Sequence, residues 1–146
     1  MSRIGTLFLL LMSLPLKGDE VPKVNLVSVL LPQSTIVDIY RRPLRSLLIE
    51  QKAAIPLKMA LRCVAQKEHL LGRKLIHSCQ GTYVPRKIAG TNRWSMHAYG
   101  RAIDINMGKI QPTEVVTCFE RHGWKWGGRW RYPSTDPMHF EYRGEK

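Results

Sequence analysis

The chain has 146 residues, 44% of them hydrophobic, and a formal net charge of +12 at pH 7. This length supports one domain with a core of ordinary size, and the absence of repeats and low-complexity tracts excludes a disordered or repeat protein. The basic excess favours polyanionic partners such as nucleic acid, anionic lipid or cell-wall polymers, without choosing among them.

Residues 1–18 read as an export signal. Arg3 supplies a positive start, and Ile4 to Leu16 is an apolar run, shorter than the roughly 20 residues that a membrane-spanning helix needs. Cleavage is expected near Gly18, which implies a periplasmic or extracellular protein with no stable membrane span. Residues 19–45 contain Pro22, Pro32 and Pro43 and are expected to form an extended lead-in with one edge strand. The domain proper is expected over 46–146. Pro56 suits the first turn of a helix. Leu57, Ala60, Leu61, Val64 and Ala65 then keep a helical period up to Leu71, where Gly72 supplies a stop.

Leu75 to Cys79 reads as a short strand, with Gln80-Gly81 turning out of it. Thr113 is expected to cap a second helix, with Val115, Val116 and Phe119 as its apolar stripe and Gly123, after His122, as its end. The order of elements predicts an α+β domain, with a small, mainly antiparallel sheet flanked by helices. Cys63, Cys79 and Cys118 follow no metal-like spacing. At least two are expected to be small buried residues, the alternative being one disulfide and one free thiol.

The chemistry concentrates in two later segments. Ala102-Ile103-Asp104-Ile105-Asn106 alternates as a strand should, so that Ala102, Asp104 and Asn106 share one face. His97 lies upstream across Gly100, which permits a sharp turn that folds it back beside Asp104. In the second segment Met138, Phe140 and Tyr142 alternate with His139 and Glu141. Asp136 precedes Pro137, which biases it toward extended or turn geometry just upstream of His139. Singly, each has a plainer reading, as a surface histidine or a turn aspartate. Together they offer three ligands for a metal, His97, Asp104 and His139, with Asp136 as a general base. Glu141 is placed to accept from an imidazole N–H. Core packing is the default for Trp124, Trp126 and Trp130, and Gly127-Gly128 would let a substrate backbone pass close.

Ser95-x-His97-x-x-Gly100-x-Ala102-x-Asp104, followed by Asp136-x-x-His139, resembles the signature of the M15 zinc peptidases. That family holds D-alanyl-D-alanine carboxypeptidases and L-alanyl-D-glutamate endopeptidases. The likeness extends over roughly residues 50–146, and Trp126-Gly127-Gly128-x-Trp130 is closer to the endopeptidase branch. It implies an M15-like single domain of the LAS type that binds Zn2+ through His97, Asp104 and His139, with Asp136 as the catalytic base. Tyr83-Val84-Pro85-Arg86 resembles the family segment whose arginine meets the substrate and the developing oxyanion, here Arg86.

Arg86, Ser95, Trp126 and Trp130 are the expected substrate contacts, although Ser95 also suits a role in orienting the His97 loop. The implied reaction is hydrolysis of an amide in peptidoglycan stem peptides, at the L-Ala–D-Glu bond. The alternatives are a D-Ala-D-Ala carboxypeptidase or an inactive metal-binding module. A non-haem iron oxygenase is disfavoured, because its His-x-Asp pair sits at adjacent strand positions. A nucleic-acid binder would not need both Asp104 and Asp136. The partner expected is therefore peptidoglycan and not nucleic acid, met by a monomer.

Overall fold

In the computed structural model, which describes residues 20–32 and 36–144, two small antiparallel sheets pack with two helices. The expected export signal lies outside the described residues. The lead-in contributes β1 (Leu26–Leu30), which pairs with β2 (Ser46–Glu50) in a register that sets Val29 opposite Leu47. Val29, Leu47 and Ile49 are buried, so this ribbon has one wet and one dry face. Strand β2 runs directly into α1 (Gln51–Leu71).

The first helix begins a full turn earlier than expected. Glu50 is its N-cap, its carboxylate accepting from the Lys52 amide at 3.0 Å, and buried Ala53 and Ala54 extend the apolar stripe upstream. Pro56 thus sits inside the helix, where it forgoes the bond to the Lys52 carbonyl. The stop is where it was expected. Gly72 adopts φ 61, and its N–H reaches the carbonyls of Glu68 and His69.

The strand expected over Leu75–Cys79 shrinks to β3 (Cys79–Gln80). The physical cause lies in distant side chains that capture its donors. Glu68 Oε1 accepts from the amides of Leu75 at 2.7 Å and Ile76 at 3.0 Å. Asn106 Oδ1 accepts from the amide of His77 at 2.7 Å. Asn106 is itself a correction, because at φ 55 it ends the strand rather than continuing its face. Its amide instead donates to the Leu75 carbonyl and to Gln111 Oε1, at 2.7 and 3.0 Å.

The main sheet has the order β3–β4–β6–β5, with β4 at Ala102–Ile105, β5 at Trp124–Trp126 and β6 at His139–Tyr142, all antiparallel. Between β4 and β5 lies α2 (Thr113–Arg121), whose cap is Pro112 and not Thr113. The Pro112 carbonyl accepts from Val115 and Val116 at 3.1 and 3.2 Å, and no side chain caps the helix. Phe119 of α2 meets Phe140 of β6 at 4.7 Å and Trp124 of β5 at 5.6 Å. Trp124 therefore packs in the core as expected. The cysteine expectation is corrected. Cys63 of α1 and Cys118 of α2 form a disulfide, and only Cys79 is a free buried thiol. Among the described residues no helix is long and apolar enough to cross a membrane.

Candidate metal centre

Two local devices bring His97 to the sheet. Residues Met96–Tyr99 form a single 3-10 turn, whose N-cap Ser95 accepts from the His97 amide through Oγ at 3.3 Å. Gly100 closes the turn at φ 64, its N–H bonding to the His97 carbonyl at 3.1 Å. A Cβ at Gly100 would lie 2.8 Å from Leu26 Cδ2 and 3.0 Å from the Glu50 backbone N. Only glycine fits both the backbone angle and that approach. The turn delivers His97, 1% exposed, to the start of β4.

Register supplies the other two groups. Asp104 on β4 lies directly opposite His139 on β6. Asp104 Oδ1 is 3.2 Å from His97 Nε2 and 3.1 Å from His139 Nδ1. One donor atom from each of the three residues lies within 4.8 Å of the others. Tetrahedral zinc with bonds near 2.05 Å holds its ligand atoms about 3.3 Å apart. The donor set, two imidazoles and a carboxylate, and these spacings therefore fit the three protein ligands of a metal site. On its far side, His139 Nε2 meets Glu141 Oε2 at 3.2 Å, and Glu141 Oε1 accepts from Arg143 Nε at 2.5 Å. A carboxylate behind the imidazole fixes ring orientation and ligand basicity. His97 Nδ1 is buried with no protein partner, so that ring is oriented by the Ser95–Gly100 turn and by its Nε2 contact with Asp104.

The electrostatics follow from this crowding. Burial by itself raises the pKa of Asp104, but hydrogen bonds from His139 and His97, with their charge, hold it at about 2. Burial likewise opposes charge on His139, yet Asp104 and Glu141 push its pKa up to about 9. Glu141 is lowered: burial works against it, and His139 and Arg143 prevail. Without metal, the centre is an imidazolium held between two carboxylates.

The three groups line two neighbouring concavities that share Arg86. One concavity, of about 610 Å³, includes His97, Asp104 and Met138 in its lining. The other, of about 460 Å³, includes His139, Asp136, Ser95 and Trp130. Exposed Arg86 lines both. Its segment is laced to the His97 turn, the Val84 amide bonding to the His97 carbonyl at 3.0 Å and the Ser95 amide to the Arg86 carbonyl at 3.1 Å. Residues 89–142 match the family model described as D-alanyl-D-alanine carboxypeptidase. Over these residues the chain is similar to the M15 peptidases. No curated protein and no solved structure matches the chain.

The matched segment holds His97, Asp104, Asp136, His139 and Ser95, while Arg86 lies just ahead of it. Half-buried Asp136 is tied in by its amide, which bonds to the Gly127 carbonyl at 3.0 Å, and its own carbonyl accepts from the His139 amide at 3.2 Å. A Cβ at Gly127 would lie 2.5 Å from the Asp136 carbonyl, and one at Gly128 would lie 2.2 Å from the Trp126 ring. The space is taken by the chain's own Asp136 and Trp126.

Trp130 stands 5.3 Å from the His139 ring. Trp126 instead donates to the Pro137 carbonyl at 2.7 Å and lines a separate concavity of about 650 Å³ that also touches Asp136. Ser95 is buried, with Oγ committed to the turn. Sequence reasoning missed the lead-in residues Ile39, Tyr40 and Arg42, which line the His97 side of the cleft. Their only local signal is an Asp-to-Arg spacing typical of a turn.

Proposed function

We propose that this chain is a zinc-dependent peptidase that hydrolyses an amide bond of peptidoglycan stem peptides, cutting between L-Ala and D-Glu. The observation that carries the reading is the Asp104 carboxylate, held within 3.2 Å of two imidazoles at the floor of an open cleft. His97, Asp104 and His139 would hold the zinc, which when bound supplies Lewis-acid chemistry and makes water acidic enough to ionise near neutral pH. Asp136, beside His139, takes the proton from the attacking water and returns it to the leaving amine. Arg86 offers a fixed positive charge to the developing oxyanion or to a substrate carboxylate. Glu141 keeps His139 turned toward the centre.

Concavities on both the His97 and the His139 side of the centre support an endopeptidase, which needs room for substrate on either side of the cut. A second reading, a D-Ala-D-Ala carboxypeptidase, draws on the description of the matching family. Export to an oxidising compartment is supported by the Cys63–Cys118 disulfide, since such bonds persist there and rarely in cytosol. Digestion of purified peptidoglycan followed by mass analysis tests the proposal. New D-Glu N-termini support the endopeptidase, released D-Ala supports the second reading, and unchanged peptidoglycan refutes both.

A further inference from the structure

The concavity on the His97 side is lined mostly by residues ahead of the matched segment. Among them are Ile39, Tyr40 and Arg42 of the turn at Asp38–Arg42, which share this concavity with His97 and Asp104. We infer that this turn is a substrate-binding element, taking a carboxylate-bearing stretch of peptide with small apolar side chains on the His97 side of the cleft. The identity of that peptide as a wall stem peptide rests on the function proposed above.

The turn is built rather than loose. Asp38 Oδ1 accepts from the amides of Tyr40 at 2.8 Å and Arg42 at 2.9 Å, and the Asp38 amide bonds to the Arg42 carbonyl at 2.9 Å. Arg41 sits at φ 61, a conformation that costs a non-glycine residue about 1–2 kcal/mol. The turn is also fixed to the sheet that carries the centre. Val37 accepts from the Cys79 amide at 3.0 Å and donates to the His77 carbonyl at 3.3 Å. Cys79 begins β3, where Gln80 lies opposite Asp104. The position of the turn relative to Asp104 is therefore set by backbone bonds.

What this anchored turn displays is unusual for structural use alone. Tyr40 is 71% exposed and Ile39 is 49% exposed. The Arg42 guanidinium lies 5.0 Å over the Tyr40 ring, holding an aromatic face and a cation together. Arg42 Nε also bonds to Asp38 Oδ2 at 2.7 Å, but an exposed pair of this kind contributes little to stability. The two amide bonds to Oδ1 hold the turn without the guanidinium. Arg86 lines the same concavity, as do exposed Leu48 and Val84. Two guanidinia, an aromatic face and apolar lining residues complement a peptide that carries carboxylates and methyl side chains.

The test is binding, measured apart from hydrolysis. In an Asp136→Ala background, the synthetic peptide L-Ala-γ-D-Glu-L-Lys-D-Ala is titrated calorimetrically, beside the same peptide with every carboxylate amidated. Arg42→Ala is expected to weaken binding of the acidic peptide about tenfold or more, the worth of a charge-assisted hydrogen bond, and to shrink the penalty for amidation. Arg42→Lys should recover part of the loss, and Tyr40→Ala should weaken both peptides alike. Unfolding midpoints matching the parent exclude a collapsed turn. The inference is overturned if the parent does not bind the peptide, or if both alanine variants bind like the parent. If these effects appear while the unmutated protein leaves peptidoglycan intact, the turn binds as inferred and the proposed hydrolysis is wrong.

Discussion

Two glycines at the same backbone angle allow the packing around the centre to be weighed inside one molecule. Gly72 and Gly100 have φ 61 and 64. A Cβ at Gly72 meets nothing within 4 Å, whereas one at Gly100 meets Leu26 Cδ2 at 2.8 Å and the Glu50 backbone N at 3.0 Å. Gly72→Ala should therefore cost only the left-handed strain, about 1–2 kcal/mol. Gly100→Ala adds overpacking. Leu26 can swing away, but Glu50 is held by β2, by the helix cap, and by its amide bond to the Gly100 carbonyl at 2.8 Å. Overpacking of this kind costs about 1–3 kcal/mol, for a total of about 2–5 kcal/mol. Because Gly100 closes the turn that carries His97, metal affinity should fall in Gly100→Ala and stay unchanged in Gly72→Ala. Denaturant titration of chelator-treated protein measures the first effect, and zinc titration against a competing chelator measures the second. Equal stability losses in the two variants would refute the packing argument.

The disulfide closes a segment with sequence separation 55 between helices α1 and α2. Replacing Cys63 and Cys118 together by serine should cost about 4 kcal/mol by loop entropy, read as a lower denaturation midpoint that reductant no longer shifts. The metal-free protein should show a defined pH dependence. His139, raised to about 9, contributes stability that is full below about 6.5 and is lost as pH rises through 9. Asp104, held at about 2, contributes stability present above about 4 and lost as pH falls through 2. Zinc affinity should climb over the same alkaline window, because His139 must shed its proton to become a ligand; a flat zinc affinity between pH 6.5 and 9 would contradict this. Asp136→Ala should bind zinc normally and lose about 10²–10⁴ in hydrolysis of stem peptide, checked by zinc analysis beside product mass analysis.

The elements that carry the centre were legible because their signals are local. Alternation in Ala102–Ile105 and His139–Tyr142 marks the strands, and Gly100 and Gly72 mark turns that only a residue tolerant of positive φ can make. The α+β order with antiparallel pairing followed from these. What was not legible depends on partners far apart in sequence. Glu68 and Asn106 capture the amides that would have made Leu75–Ser78 a strand. Glu50, capping through its own side chain, starts α1 ahead of the proline that seemed to open it. The pairing of Cys63 with Cys118 depends on how the two helices pack, which no spacing reveals. The Asp38–Arg42 wall reaches the cleft only through backbone bonds to His77 and Cys79. Gly127 shows the same limit, since its missing Cβ makes room for Asp136 rather than for substrate.

The account turns on whether His97, Asp104 and His139 hold zinc. Elemental analysis of the purified protein, with a His139→Ala variant beside it, tests this most directly. The expected result is about one zinc per chain in the parent and a large loss in the variant. A parent that remains metal-free after incubation with zinc, while folded, would contradict the central claim.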